Sequence, residues 1–508
     1  MFNKKIHILG ETITITPLWI LILFAIILRI PSLFEPYWYG DEAIYLTLGE
    51  GIRHNLVLYR DIFDHKPPLI YLIAAAAGSL YWFKLILLVW SIGTIALFWK
   101  LARETVKNST ILEKNHDISV VVASTIFTIS TTLPMLEGNI ANAELFLIGP
   151  IFLGLLFTLS EWPNFVKNKL LRIFIGGVLF SFALLFKVPA IFDVFALVAF
   201  WGISSLWKPK DIIAALKKSI VLTLGLFLPI FISVFYFWSQ GALKQYITAG
   251  LSQNITYIGQ WANQKTVLST GQNALSGLGF RAEVLIVLLL VVLFTKKFFD
   301  KYLLFVILWL TFDIFAMLLS GRPYPHYIIQ AIPPLSLAGV ILFFGKEKFR
   351  FLPVPFIGLF LASLVFYKFY YYPTIPYYQN FVSFITGQKS KQDYYKHFDQ
   401  KVQTTYDLAQ YLVLRTSKDD RIFIWGTEPE VYALSHRVPA SRYITSFHIS
   451  DFKGEEETLN SLQDKKVKYI ILDTREERNL PGLTGLLERN YYRTDEIANN
   501  QIWKLKNF

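Results

Sequence analysis

The chain contains no cysteine in 508 residues, which excludes disulfides, thiolate metal sites and cysteine nucleophiles. That lack is compatible with an oxidising compartment, and any catalysis must use other groups. Room for a soluble core is missing too: 54% of the residues are hydrophobic and 44 are Phe, more than a water-soluble interior can hide. The composition is that of an α-helical polytopic membrane protein. The net charge of +12 would suit nucleic acid, but Lys and Arg fall in short clusters between apolar runs, so no nucleic acid is expected as a partner.

A membrane span needs about 20 apolar residues. Such runs lie near 16–34, 84–102, 118–136, 144–160, 172–187, 188–206, 219–238, 282–295, 302–320, 327–345 and 351–370. The stretch Pro67 to Trp82 is shorter and reads as an interfacial or half-inserted segment, which leaves eleven spans; counted as a crossing it would make the total 12 or 13, so the expected range is 11 to 13. No small-residue cleavage site follows the first run, which therefore reads as a retained helix.

Every second loop is basic: Lys4 and Lys5; Lys100, Arg103, Lys107 and Lys114; Lys167, Lys169 and Arg172; Lys208, Lys210, Lys217 and Lys218; Lys296, Lys297 and Lys301; Lys346, Lys348 and Arg350. The positive-inside rule places these loops and the amino end in the cytoplasm, and residues 371–508 outside.

The first outer loop carries Glu35, Asp41, Glu42, Glu50, Asp61 and Asp64 against Arg53, Arg60 and Lys66. Carboxylates beside apolar spans are costly unless solvated or paired, which makes them candidates for function. The run from Glu42 to Glu50 has a helical pattern that puts Asp41 near a helix amino terminus. Trp38, Tyr39 and Tyr45 around the acid pair give the make-up of a lined pocket, where a free loop surface would be more polar.

The second outer loop, Glu137 to Glu144, places Glu144 where a helix re-enters the membrane. Two readings stand for it: a carboxylate favouring the helix dipole, or a second acid converging on Asp41 to bind a divalent cation or orient an acceptor hydroxyl. Lys187, in Phe186-Lys187-Val188-Pro189, interrupts apolar sequence on the side opposite the cytoplasmic clusters and suits an anionic headgroup, though snorkelling to lipid phosphate would also place it there. Arg322 and His326 lie at another outer span end.

Together, Tyr39-Gly40-Asp41-Glu42, Asp64-His65-Lys66-Pro67-Pro68-Leu69, Ala141-Asn142-Ala143-Glu144, Lys187-Val188-Pro189 and Arg322-Pro323-Tyr324-Pro325-His326-Tyr327 resemble bacterial GT-C glycosyltransferases of the protein O-mannosyltransferase and lipid A aminoarabinose transferase type. The likeness covers residues 15–345, and the first loop is its most specific piece. The resemblance implies a GT-C fold with an external cavity, a polyprenyl-phosphate-linked sugar as donor, and transfer with inversion to an extracytoplasmic acceptor. By position it makes Asp41 the base and Lys187 the phosphate clamp, with Glu42 and Glu144 shaping the acceptor side or holding a metal. His65, Lys66, Arg322 and His326 become second-rank donor contacts. Members differ in metal use; the expectation is that none is required, with a divalent cation open.

From about Ser390 the composition turns polar, with strand-like runs at 421–425, 468–472 and 501–505 and helical patterns at 402–414 and 458–463. This is the pattern of a small α/β domain, in which no nucleotide-binding glycine pattern or metal-ligand cluster appears. The expected organisation is a transmembrane domain over 1–370, a Tyr-rich linker over 371–389 and an extracytoplasmic domain over 390–508. The resemblance implies acceptor recognition or packing over the cavity as the role of this domain, the other reading being a scaffold that stabilises the last span. A transporter or flippase for a lipid-linked sugar is the competing class; Asp193 and Asp313, in or near apolar runs, are its one hint, and helix pairing is the expectation for Asp313. The sequence names neither the sugar nor the acceptor, which is open among protein Ser/Thr, a glycolipid and a wall polysaccharide. The Asn-x-Ser/Thr matches at Asn108 and Asn254 are short enough to arise by chance.

Overall fold

The computed structural model describes residues 4–8, 11–107, 109–112, 116–206, 209–252, 277–465 and 467–506, with side chains from Thr16 onward except at 251 and 252. Asn108, Lys114, Lys208 and Asn254 lie outside the described residues, and Lys4 and Lys5 are described by their backbone alone.

The chain is a helical polytopic membrane protein. Among the described residues, eight helices are long and apolar enough to cross a membrane: Pro17–Phe34, Leu80–Lys107, Lys169–Phe186, Val188–Ser205, Pro209–Ser239, Leu278–Phe298, Lys301–Leu318 and Pro325–Phe344. Two shorter apolar helices, Ala143–Leu159 and Val354–Phe366, occupy two further expected runs. The remaining run, 118–136, is the 17-residue helix His116–Thr132, whose face is dotted with Ser and Thr.

A short antiparallel pair, β1 (Lys4–Ile8) and β2 (Glu11–Ile15), precedes helix α1 (Pro17–Arg29). Next come α2 (Gly40–Arg53), α3 (Leu69–Ala77) and α4 (Leu80–Lys107). The stretch from Pro67 to Trp82 is therefore split: at about 1.5 Å per residue the nine residues of α3 reach only about 14 Å, short of the roughly 30 Å hydrocarbon core. Gly78, at φ 69°, takes the left-handed turn that ends α3, a conformation costly for side chains with a Cβ.

By their internal contacts the residues form two compact units, one of Met1–Ile30, Leu87–Ser233 and Asn254–Thr374, the other of Pro31–Ile86, Val234–Gln253 and Ile375–Phe508. The first is a helical body. It contains α5 (His116–Thr132), α6 (Ala143–Leu159), α7 (Lys169–Phe186), α8 (Ile191–Ser205) and α9 (Pro209–Ser239, up to Ser233), and the helix Lys301–Leu318, buried along almost its whole length, packs against α8 and the helices Leu278–Thr295, Ile332–Phe344 and Val354–Phe366. A Cβ on Gly177 would strike the Leu222 carbonyl and one on Gly225 the Phe174 carbonyl, so these glycines let the backbones of α7 and α9 touch, a close approach that small residues permit. Asp193 on α8 accepts from Trp309 Nε1 at 2.7 Å and from Gln330 Nε2 at 2.8 Å. The acid that hinted at transport thus joins three segments of the helical body, while Asp313 is wholly buried on the helix Lys301–Leu318.

The second unit packs α2 and α3 with a four-stranded sheet and its helices. The strand order is β3-β4-β6-β5, with β3 (Ile422–Trp425) and β4 (Tyr469–Asp473) parallel, and β5 (Tyr491–Ile497) and β6 (Asn500–Leu505) antiparallel to their neighbours. Three of these strands match the expected runs within a residue or two, and the helices Val402–Arg415 and Glu455–Asp464 contain the expected helical patterns. Polar bonds tie α2 and its following loop to the tail: Thr47 Oγ1 donates to the Pro429 carbonyl at 3.1 Å and Phe63 N–H to the Arg442 carbonyl at 2.9 Å.

Candidate active site

Asp41 and Glu42 occupy the first turn of α2, where carboxylates suit the unpaired N–H groups and the positive dipole end. Adjacent residues on a helix point about 100° apart, and the two acids part company. Glu42 turns inward, with its Oε1 2.8 Å from the Lys84 ammonium. Lys84 also lies 3.0 Å from Glu35 Oε2, and all three side chains are essentially without solvent exposure. Glu35 is held further by Tyr377 Oη, which donates to Oε1 at 2.6 Å, and by Trp38 Nε1 at 3.2 Å. Desolvating one ammonium and two carboxylates is tolerable only with this degree of pairing.

Asp41 keeps 31% of its side chain open. Its Oδ2 accepts from Tyr45 Oη at 3.1 Å and from Lys66 Nζ at 3.3 Å, and that ammonium lies 4.9 Å from the Tyr45 ring centre. Lys66 reaches back to Asp64 Oδ2 at 3.9 Å. Asp64 is 1% exposed; its Oδ2 accepts from Tyr71 Oη at 2.7 Å and its Oδ1 from the His65 backbone N–H at 2.8 Å. Burial alone would raise the Asp64 carboxyl, but the charges of Lys66 and His65 outweigh it and hold the group well below the usual carboxylate range. His448, on the helix Ser446–Asp451, sits with its Nε2 3.6 Å from Asp64 Oδ1. Burial drives this imidazole down to about 4 against the pull of Asp64, so it is neutral at pH 7.

The helical body holds its own charged cluster. Glu144 stands in the first turn of α6 and pairs with Lys187, the residue that closes α7. The Lys187 ammonium also lies over the Tyr327 ring, 4.1 Å from its centre. His326 pairs through Nδ1 with Glu137, and its Nε2 is 3.8 Å from Glu144 Oε1, so one imidazole stands between two buried glutamates. Asn142 Nδ2 donates to Glu137 at 3.0 Å. Arg29, 2% exposed at the end of α1, fixes the turn that presents Glu137 by donating to the carbonyls of Gly138 at 2.5 Å and Thr131 at 2.8 Å. Arg322 lies half-buried beside Gly321, which turns at φ 68°.

Of the residues expected from sequence, Asp41, Glu42, His65 and Lys66 are thus in one unit, and Glu144, Lys187, His326 and Arg322 in the other. Lys84, Tyr71, His448, Glu137 and Arg29 were not singled out by sequence, and Glu35 only as one of six acids in the first outer loop. A legible signal existed for Lys84 alone, an ammonium at the head of an apolar run.

No family model matches the sequence, and no curated protein matches it significantly. Solved structures do match. ArnT from Cupriavidus metallidurans in the apo state is 11% identical, with 96% of this chain and 97% of that chain covered and a TM-score of 0.50. The same enzyme bound to undecaprenyl phosphate is 11% identical over 96% and 97%, with a TM-score of 0.47. The apo oligosaccharyltransferase of Archaeoglobus fulgidus is 12% identical, over 90% of this chain and 69% of that chain, with a TM-score of 0.43. The fold of the chain is the GT-C fold, as the ArnT apo structure displays it.

Proposed function

We propose that the protein is an integral-membrane inverting glycosyltransferase that moves a sugar from a polyprenyl-phosphate donor to an acceptor outside the cytoplasm. The GT-C fold and the first-loop motif support this reading. The observation that carries it is the division of labour among the acids of the first loop: Glu35, Glu42, Glu50 and Asp64 are buried and engaged, and of the two that stay open, Asp61 is taken up by a two-point pair with Arg60 while Asp41 keeps its solvent access beside Tyr45 and Lys66. A carboxylate held in place by Tyr45 and Lys66 yet open on one side is what a general base requires.

In a single displacement the acceptor oxygen attacks the anomeric carbon while the bond from that carbon to the donor phosphate oxygen breaks. The acceptor proton must leave, and negative charge grows on the departing lipid phosphate. Asp41 takes the proton in this proposal. Lys187 stabilises the phosphate, with Lys66, Arg322 and His326 as further donor contacts. Glu144 sets the position of Lys187, and Glu42 acts through Lys84 to fix the start of α2, so both are positioning residues. His65 turns its ring to Asp64 and takes a different role. The transfer step is proposed to need no metal, and the region 390–508 to face the acceptor.

Of the two acids that hint at a transporter, Asp193 is engaged in hydrogen bonds between segments of the helical body. Purified protein incubated with labelled polyprenyl-phosphosugars and fractionated envelope acceptors tests the proposal. Label should move to one acceptor class with the natural sequence and fail to move with Asp41→Asn; equal transfer by both would remove Asp41 from its role.

A further inference from the structure

Asp64, His65 and His448 each offer one donor atom, and these atoms lie within 4.8 Å of one another. The carboxylate divides its oxygens between two tasks. Oδ2 faces the Tyr71 hydroxyl and the Lys66 ammonium, while Oδ1 faces both imidazoles, 2.9 Å from His65 Nδ1 and 3.6 Å from His448 Nε2. Two ligand atoms each about 2.0–2.1 Å from a tetrahedral ion stand about 3.3 Å apart, so these two separations bracket the spacing that a zinc site needs.

His448 points to a ligand independently. It is 2% exposed, walled by the rings of Phe63, Phe447 and Phe452, and its Nδ1 finds no hydrogen-bond partner. The nitrogen aimed at the site is Nε2, which faces Asp64 Oδ1 at 3.6 Å, beyond hydrogen-bond range. An imidazole kept dry and oriented at a carboxylate, without bonding to it, is poised for a cation that would sit between them.

We infer that Asp64, His65 and His448 form a binding site for one divalent transition-metal ion, Zn²⁺ by the chemistry of its two imidazoles and one carboxylate. Water completes the tetrahedron. Tyr71, donating to Oδ2, orients the carboxylate from the outer shell. The ion joins the loop between α2 and α3 to the helix Ser446–Asp451, two segments separated by almost 400 residues, and its role is to hold them together. It takes no part in sugar transfer.

The test uses the full chain in detergent, with any affinity tag removed, stripped by chelator and dialysed. Titration with Zn²⁺ should give about one ion per chain and raise the thermal midpoint, because an ion bound only by the folded state stabilises it. Co²⁺ in its place should show the intense visible bands of four-coordinate cobalt. His448→Ala and His65→Ala should each abolish both signals, and Tyr71→Phe should weaken Zn²⁺ binding about tenfold or more. Should the histidine variants fold poorly, the cobalt spectrum of the unaltered chain still decides. Substoichiometric zinc, octahedral cobalt, or binding unchanged in folded His448→Ala would overturn the inference.

Discussion

The Lys84 ammonium lies 2.8 Å from Glu42 and 3.0 Å from Glu35 with no solvent exposure of its own, and this enclosed triad sets the entry of α2 and with it the direction of Asp41. Removing the cation strands two buried carboxylates. Lys84→Met should therefore destabilise the protein by about 3–5 kcal/mol, read as a lowered chemical-denaturation midpoint in detergent. Replacing Glu35 and Glu42 by Gln in the same chain should recover most of that loss. A single variant as stable as the parent would show that the triad does not hold the fold.

Lys187 is argued to stabilise phosphate, yet it also neutralises Glu144. Two variants separate the tasks. Lys187→Met should lose stability and reduce transfer by about 10²-fold to 10³-fold, the size of effect expected for one group that stabilises developing charge. Adding Glu144→Gln should restore the thermal midpoint while transfer stays low. Recovery of transfer in the double variant would assign the lysine a purely structural part.

Acid sensitivity should trace in part to Glu50 on α2. Burial opposes its ionisation, but hydrogen bonds from His436 and Arg53 outweigh burial and bring the carboxyl from 4.5 down to about 2. Because the folded-state value is depressed, this contribution is complete above pH 4.5 and fades as pH falls toward 2. Thermal midpoints measured across that interval should drop less steeply in Glu50→Gln than in the parent. Identical slopes would contradict the assignment.

Much of this was legible before any coordinates. The parallel pair Ile422–Trp425 and Tyr469–Asp473 announces itself as short apolar runs between helical patterns, and Asp41 and Glu144 were both expected at helix amino termini, where they stand. Strand Tyr491–Ile497 was missed because it lies at the sheet edge with most of its side chains exposed, so its polar sequence carries no buried alternation. Which of Asp41 and Glu42 turns inward was beyond local sequence, since the answer is set by Lys84, 42 residues further on. His448 was equally silent: a lone histidine in a six-residue helix acquires meaning only when the chain returns it to Asp64.

The central claim is that Asp41 removes the acceptor proton, and transfer of labelled sugar by Asp41→Asn against the parent tests it most directly. Asparagine keeps the size and can still accept from Tyr45 and Lys66, so the fold should survive with an unchanged thermal midpoint while transfer falls by about 10²-fold to 10⁴-fold, the usual worth of a general base. Transfer within about twofold of the parent, in a chain as stable as the parent, would contradict the account.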